Sequence, residues 1–446
     1  MAERMKSERP NILMVISHDQ GRRLGCYGAP VRTPNLDKAA ADGVVFTNYF
    51  CTAAQCSPSR GSIITGRFPH NNGLMGLAHI GWEFNPGEKT LPMYLNEAGY
   101  ITHLFGLQHE SADLARLGYQ HLHLHEGSGA ARAAAQDVMA FLHQAATEQS
   151  QPFFAMVGTV EPHRPYQRPG YPADDPAQVQ PLAYLPDKPG VREDIAGLNG
   201  LIAVVDEAVG EILAALEQTG LAENTLFMFT TDHGIAMPRA KGTCYDPGIE
   251  TALITRWPAR FPRGVRRDQL LVNTDLLPTL LELVGCEIPG NLDGRSFLPL
   301  IAGAPYMPRD HIFIEMTWHD KYNPMRGIRT HTHKYIRNFG DRPLVFLPLD
   351  IYLGRAGEET RDEFYSCSRP EEELYDLRND PLEQRNLASD PAYRPVLEDL
   401  RRRVQEWMES TRDPLLAGPV APPPKQRERL AKGEPNDWPP PGAAQR

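Results

Sequence analysis

The sequence predicts an α/β fold with a mainly parallel central sheet flanked by helices, and a smaller C-terminal subdomain with a short antiparallel sheet. Three observations predict it. Short, nearly continuous apolar runs recur up to Thr230, and runs of that kind are strands buried on both faces, as in parallel sheets. Helical spacing fills the intervals, so strands and helices alternate along the chain. Beyond residue 305 the pattern gives way to short segments that alternate polar and apolar residues.

Asn11–Ser17 (NILMVIS) is the first apolar run, followed by Ile101–Phe105, Phe153–Gly158 and Thr225–Thr230. Asn35–Asp42 and Leu91–Ala98 have helical spacing, and Gly99 ends the second. Val191–Thr219 is the longest helix, with Ile202, Val205, Val209, Ile212, Leu213 and Leu216 at apolar positions and Gly220 as its C-terminal cap. Ile312–Met316, Gly327–Thr330, Lys334–Arg337 and Glu373–Leu377 read as the strands of the second sheet, and Val396–Met408 as an amphipathic helix. His121, His123 and His125 alternate but read as a polar loop. The chain thus divides into an α/β domain over 1–305, a subdomain over 306–414 and a Pro-rich, charged tail over 415–446. The tail builds no core of its own, so it packs along the body or reaches a partner chain, which makes a homo-oligomer an expectation.

Composition narrows the function. Of 446 residues, 41% are hydrophobic and 23% charged, a balance that supplies an ordinary core. The net charge of −10 argues against a general nucleic-acid binder or a polybasic membrane binder. Six cysteines without a CxxC pair signal neither a zinc ribbon nor a disulfide framework. No apolar run is long enough for a membrane span, and Met1–Arg9 is polar, without the apolar segment of a signal peptide. The expectation is a cytoplasmic protein with reduced thiols.

Three local signals carry chemistry. Cys56-Ser57-Pro58-Ser59-Arg60 places a small nucleophile before a Pro-fixed turn and a helix start. Free N–H groups at that helix end, with Arg60, suit an anionic nucleophile or substrate group. Ser17-His18-Asp19-Gln20 and Thr231-Asp232-His233-Gly234 each end a predicted strand. Ligands of α/β sheets gather at strand C-terminal ends, so these two metal-competent pairs and Cys56 point to one shared site.

With these blocks in view, the chain resembles the type I sulfatases of the alkaline-phosphatase-like superfamily. The resemblance rests on Arg9-Pro10-Asn11-Ile12-Leu13, Leu24-Gly25-Cys26-Tyr27-Gly28, Thr33-Pro34-Asn35-Leu36-Asp37 and the C-x-P-x-R signature at Cys56, Pro58 and Arg60. Thr65-Gly66-Arg67, Asp232-His233-Gly234, Lys241-Gly242-Thr243 and Glu373-Leu374-Tyr375-Asp376-Leu377 extend it to about residue 414. Asn72–Leu77, Asn323-Pro324-Met325-Arg326 and Thr411-Arg412-Asp413-Pro414 are similar to the N-sulfoglucosamine sulfohydrolase (sulfamidase) branch, which cleaves N–S bonds.

The resemblance implies a hydrolase that releases sulfate from an ester or sulfamate. Cys56 would be oxidised to Cα-formylglycine by a formylglycine-generating or anaerobic sulfatase-maturating enzyme. One hydroxyl of its hydrate would attack sulfur, and the second would expel sulfate. Arg60 would hold the nucleophile's oxygens, and His109 would bond its hydroxyl. Lys241 would bind the sulfuryl oxygens, and His163 would protonate the leaving group. His319 with Asp320, just before the Asn323-Pro324-Met325-Arg326 block, and Arg326 would line the substrate pocket. Asp19, Cys56, Asp232 and His233 would bind one divalent metal ion, with His18 either in the ligand set or hydrogen-bonded beside it.

Two departures from the family pattern stand out. His18-Asp19 replaces the usual Asp-Asp, and Asp232-His233 the frequent Asp-Asn. Calcium is the family's ion, whereas imidazole ligands favour manganese, iron or zinc. Leu107 stands where the family has a sulfate-binding lysine, which leaves Lys241 as the matching cation. The rival readings are a phosphonate monoester or phosphodiester hydrolase of the same superfamily, and a catalytically degenerate binding protein.

Overall fold

The computed structural model describes residues 9–438, apart from 126, 128 and 149. The polar start at residues 1–8 and the end of the tail at 439–446 lie outside the described residues. The first part of the chain forms ten strands: β1 (Asn11–Ser17), β2 (Val44–Phe46), β3 (Tyr49–Phe50), β4 (Ile101–Gly106), β5 (His121–Leu124), β6 (Phe153–Gly158), β7 (Thr225–Thr231), β8 (Leu253–Arg256), β9 (Val265–Arg267) and β10 (Leu271–Val272). Eight of them make one sheet in the order β5-β4-β6-β1-β7-β8-β2-β9. The five strands from β5 to β7 run parallel, and β8 is antiparallel to both its neighbours.

The central strand explains why the sequence is apolar without alternation. Ile12, Met14 and Ile16 of β1 pack into one apolar layer with Leu91, Leu95 and the helix Leu276–Leu283. Leu13 and Val15 face the opposite layer, built by the helices Ala130–Glu148 and Pro189–Gln218. All five side chains are fully buried. Each such burial is worth about 1.5–3 kcal/mol, so a strand of this kind is stable only between two helical layers.

The C-terminal subdomain has four antiparallel strands in sequential order: β11 (His311–Trp318), β12 (Tyr322–Thr330), β13 (His333–Asn338) and β14 (Glu372–Asp376). Ile312, Ile314, Met316, Met325 and Ile336 face the α/β domain. Ile328, Tyr335 and Leu374 face the helix Arg394–Ser410 through Leu397, Leu400, Val404, Trp407 and Met408.

One expectation changes and another is narrowed. His121–Leu124 is an edge strand parallel to β4 rather than a loop. Its alternation puts His121 and His123 beside His103, with ring centroids 4.6 and 5.8 Å away, while Leu122 and Leu124 are exposed. The period-2 signal was present in the sequence, carried by an unusual residue type. The tail, in turn, contributes a helix, Pro424–Leu430, that packs on its own chain. Gln426 is fully buried there, where its side chain accepts from Trp82 Nε1 and donates to His319 O at 2.8 Å.

Candidate active site

The carboxyl ends of adjacent strands β1 and β7 present Ser17-His18-Asp19 and Thr231-Asp232-His233 side by side. Asp19 has φ 55°, a left-handed conformation that costs a side-chain-bearing residue free energy and that turns its carboxylate back over the sheet. Its backbone N–H donates to Asp232 Oδ1 at 2.9 Å. Gly234 is required by close approach, since a Cβ there would lie 1.9 Å from Pro247 O.

The helix Cys56–Thr65 starts at this edge, with every residue buried. Ser59 Oγ donates to Asp232 O, and Asn273 Nδ2 donates to Ser59 O at 3.0 Å. Ser57 Oγ accepts from Ala78 N at 3.0 Å. The Ser-x-Ser spacing within the signature therefore clamps the helix start on both sides and holds the Cys56 side chain over the strand ends.

Cys56 Sγ lies 3.0 Å from His18 Nε2, 3.5 Å from His233 Nε2 and 3.7 Å from Asp19 Oδ1. Burial raises the thiol's pKa, but Lys241 and His18 outweigh it and hold it well below the ordinary thiol value. Arg60 Nε donates to Asp232 Oδ2 at 3.0 Å, and its Nη2 is buried with no protein partner. Lys241 is 1% exposed and bridges Asp19 Oδ2 at 2.7 Å and Asp350 Oδ2 at 3.0 Å, so it is no solvated loop lysine. Burial acts to raise the Asp19 pKa, and Lys241 reverses this and leaves it well below the usual carboxylate range.

The remaining histidines form one wall. His109 stacks on His79 with centroids 5.2 Å apart, meets His18 edge-on at 5.5 Å, and keeps Nδ1 unpartnered. His163 donates from Nδ1 to Arg164 O at 2.7 Å and turns Nε2 to within 3.6 Å of Asp19 Oδ2. Burial lowers its pKa to about 4, against the pull of Asp19. His319 donates from Nδ1 to Asp320 Oδ1 at 2.9 Å, and its Nε2 has no protein partner. Burial would lower its pKa, but Asp320 and Cys56 raise it to about 9.

A cavity of about 320 Å³ opens over Cys56 between His79, His109, His163, Lys241 and His319. A larger hollow of about 990 Å³ lies elsewhere, over Arg337, Arg369 and Arg401, and holds no nucleophile. The site is the smaller one, where the chemistry is.

Not every expected residue is in it. Arg326 is fully buried inside the second sheet, where it pairs with Asp413, lies 3.7 Å from Glu315 and donates to Met316 O at 2.9 Å. It does not line the pocket. Pro-Met-Arg and Arg-Asp-Pro, two blocks of the sulfamidase resemblance, are each other's structural partners. His70, Glu315 and Asp413 also bring their ligand atoms together, but Arg326 already neutralises that group. Asp320 borders the cavity beside His319, as expected, whereas Asp350, His79 and Arg429 border it without having been singled out as site residues. Of these three, only His79 lay close to a recognised block.

The donor set fits a divalent cation. Ligand atoms of Asp19, Cys56, Asp232 and His233 lie within 4.8 Å of one another, and so do those of His18, Asp19, Cys56 and His163. His18 Nε2 is 3.6 Å from Asp19 Oδ1 and 3.7 Å from Asp232 Oδ2. Two carboxylates already matched by cations, with two or three imidazoles, form a mixed oxygen and nitrogen set of the sort divalent first-row metals occupy.

Residues 10–286 match the family described as Sulfatase, and residues 239–346 match that described as N-sulphoglucosamine sulphohydrolase, C-terminal. The chain belongs to the sulfatase family. An ulvan-active sulfatase of Formosa agariphila is 31% identical over 435 residues, covering 92% of this sulfatase and 82% of its relative. Human N-sulphoglucosamine sulphohydrolase is 28% identical, over 92% of each chain. A structure solved with its substrate D-glucosamine-2-N,6-O-disulfate superposes with a TM-score of 0.72 at 20% identity, over 91% of this chain and 99% of its own. A 2-O GAG sulfatase does so with 0.71 at 22% identity, over 94% and 96%. These two structures establish the shared fold. The family implies a formylglycine and a metal site, and this sulfatase has the cysteine and the donor set in one place.

Proposed function

We propose that this sulfatase hydrolyses a sulfate ester or sulfamate carried by a saccharide, at the cavity over residue 56. The observation that carries the reading is the convergence on Cys56 of two carboxylates, Arg60, Lys241 and a ring of histidines. The sugar comes from the relatives' substrates, and the size of the cavity supports it, since about 320 Å³ suits a single ring.

Asp19, Asp232 and His233, with His18 and the side chain of residue 56, would hold the metal, which supplies Lewis acidity to the nucleophile and the sulfuryl oxygens. Cys56 converted to formylglycine supplies the nucleophile. At 2% exposure in a fully buried helix it is out of reach of a maturating enzyme, so conversion precedes folding. Arg60 and Lys241 are anchored to Asp232 and Asp19 and thus preorganised, which is where electrostatic stabilisation of developing charge gains most. His163 has its Nδ1–H committed to a carbonyl, so Nε2 is the atom that exchanges a proton with the leaving group. His319, oriented by Asp320 and held cationic beside the nucleophile, supplies a further positive charge to the sulfuryl group.

The test is twofold. The peptide spanning Cys56, from protein made with a maturating enzyme, is expected at the mass of the aldehyde or its hydrate. Sulfate release is then assayed in parallel from N-sulfated, O-sulfated and phosphodiester substrates. An unmodified thiol beside a modified control sulfatase, or turnover of the phosphodiester alone, overturns the reading.

A further inference from the structure

We propose that the C-terminal segment completes the substrate site, with Arg429 binding a second anionic group of the substrate, distinct from the sulfate that is cleaved. This inference rests on the reading that the cavity takes a sulfated saccharide, and it narrows that class to sugars carrying at least two oxyanions.

Arg429 belongs to the helix Pro424–Leu430 and borders the same cavity as Cys56, His79 and Lys241. At the floor Lys241 is committed to Asp19 and Asp350, and Arg60 is buried on Asp232 with only Nη2 free, at the place of the sulfate that is cleaved. Arg429 differs. Its Nε donates to Glu434 Oε1 at 2.7 Å, while its two Nη atoms make no hydrogen bond to the described residues. Glu434 also meets Lys321 Nζ at 3.1 Å, so its charge is shared and does not cancel the guanidinium alone. The side chain is 30% exposed, at the mouth rather than the floor. A planar fork with free Nη donors at a pocket mouth matches a carboxylate or a sulfate group two-pronged.

The segment is built to hold that fork in place. Gln426 is pinned between Trp82 and the His319 carbonyl. Asn436 Nδ2 donates to Asp320 Oδ2 at 2.6 Å and to Leu347 O at 3.1 Å. Trp318 Nε1 donates to Val420 O at 3.0 Å. Both ends of the helix are therefore tied to the loop that carries His319 and Asp320, which faces the nucleophile. The same contacts couple the mouth of the cavity to its reactive end.

The experiment compares glucosamine bearing one sulfate with the same sugar bearing two, and with a singly sulfated disaccharide that carries a uronate. Wild-type protein, Arg429→Met and Arg429→Lys are assayed for KM and kcat. Binding of the same three probes is measured calorimetrically on Cys56→Ala, alone and with Arg429→Met. Arg429→Met is expected to raise KM and Kd for a doubly anionic probe about ten- to a hundred-fold more than for the singly sulfated one, with partial rescue by lysine. Whether the disulfate or the uronate responds shows which oxyanion Arg429 reads. Equal losses on all probes, or none, overturn the inference. If the wild type releases no sulfate while Cys56→Ala still discriminates through Arg429, the catalytic reading fails and this one stands. If Cys56→Ala binds no probe, both fall.

Discussion

At the scale of single residues, the site is a set of charges that depend on one another. Asp19 is left-handed, buried and paired with Lys241, so its conformation is held by interactions on both sides. Cys56→Ala removes the one side chain that can become the nucleophile, and sulfate release is expected to fall by more than about a thousand-fold with the melting temperature little changed. The His319 pair makes a sharper prediction. In the protein with residue 56 still a cysteine, Asp320 and Cys56 hold the His319 pKa up at about 9 from 6.5. A pKa raised by folding adds stability that is full below 6.5 and is lost as the pH rises through about 9. The His319 contribution to the stability of the unconverted protein should therefore decline across that window. Asp320→Asn removes the strongest favourable partner, so the decline should shrink and the basic limb of kcat/KM should move to lower pH. Denaturant titrations at stepped pH, with pH–rate profiles, check both.

At the scale of elements, what the sequence made legible and what it hid follow from physical causes. β1 and β6 match their predicted limits because both faces are buried and, between the polar ends Asn11 and Ser17 of β1 and throughout β6, every residue is apolar or glycine. The nucleophile helix was legible from Cys56, Pro58 and Arg60, although its clamp through Ser57 and Ser59 emerges only from the packing. Arg326 was misread because a conspicuous arginine beside a pocket motif suggests a ligand, whereas its partners Glu315 and Asp413 come from a neighbouring strand and a segment beyond the last long helix. Such a pair is a buried ion pair with no exposure to solvent. Breaking one side strands the other charge, so Arg326→Ala is expected to cost about 3–5 kcal/mol in chemical denaturation. A substrate-binding arginine would instead raise KM and leave stability intact.

At the scale of the whole molecule, the active site draws on three distant parts of the chain, and the last of them is the tail. Local signals found the strand ends and the helix start because each is a contiguous block. Asp350, in the short helix Leu349–Tyr352, and Arg429, in the tail helix, enter the cavity from segments whose own sequence has no chemical signature. The described tail is anchored on the body of its own chain. Trp82, Trp318, Asp320 and Lys321 hold Gln426, Val420, Asn436 and Glu434. Removing residues 419–446 would therefore uncover Trp82 and Trp318 and free the His319–Asp320 loop on one side. The expected outcome is a melting temperature lower by several degrees, since losing a few buried hydrogen bonds and apolar contacts costs about 2–4 kcal/mol. KM should rise by at least about ten-fold, with a smaller drop in kcat. The mass in solution, read by light scattering, should be the same for the full-length and shortened chains. A tail that instead joins subunits would give a shortened chain of lower mass, because the contacts it lost would have been those of a partner.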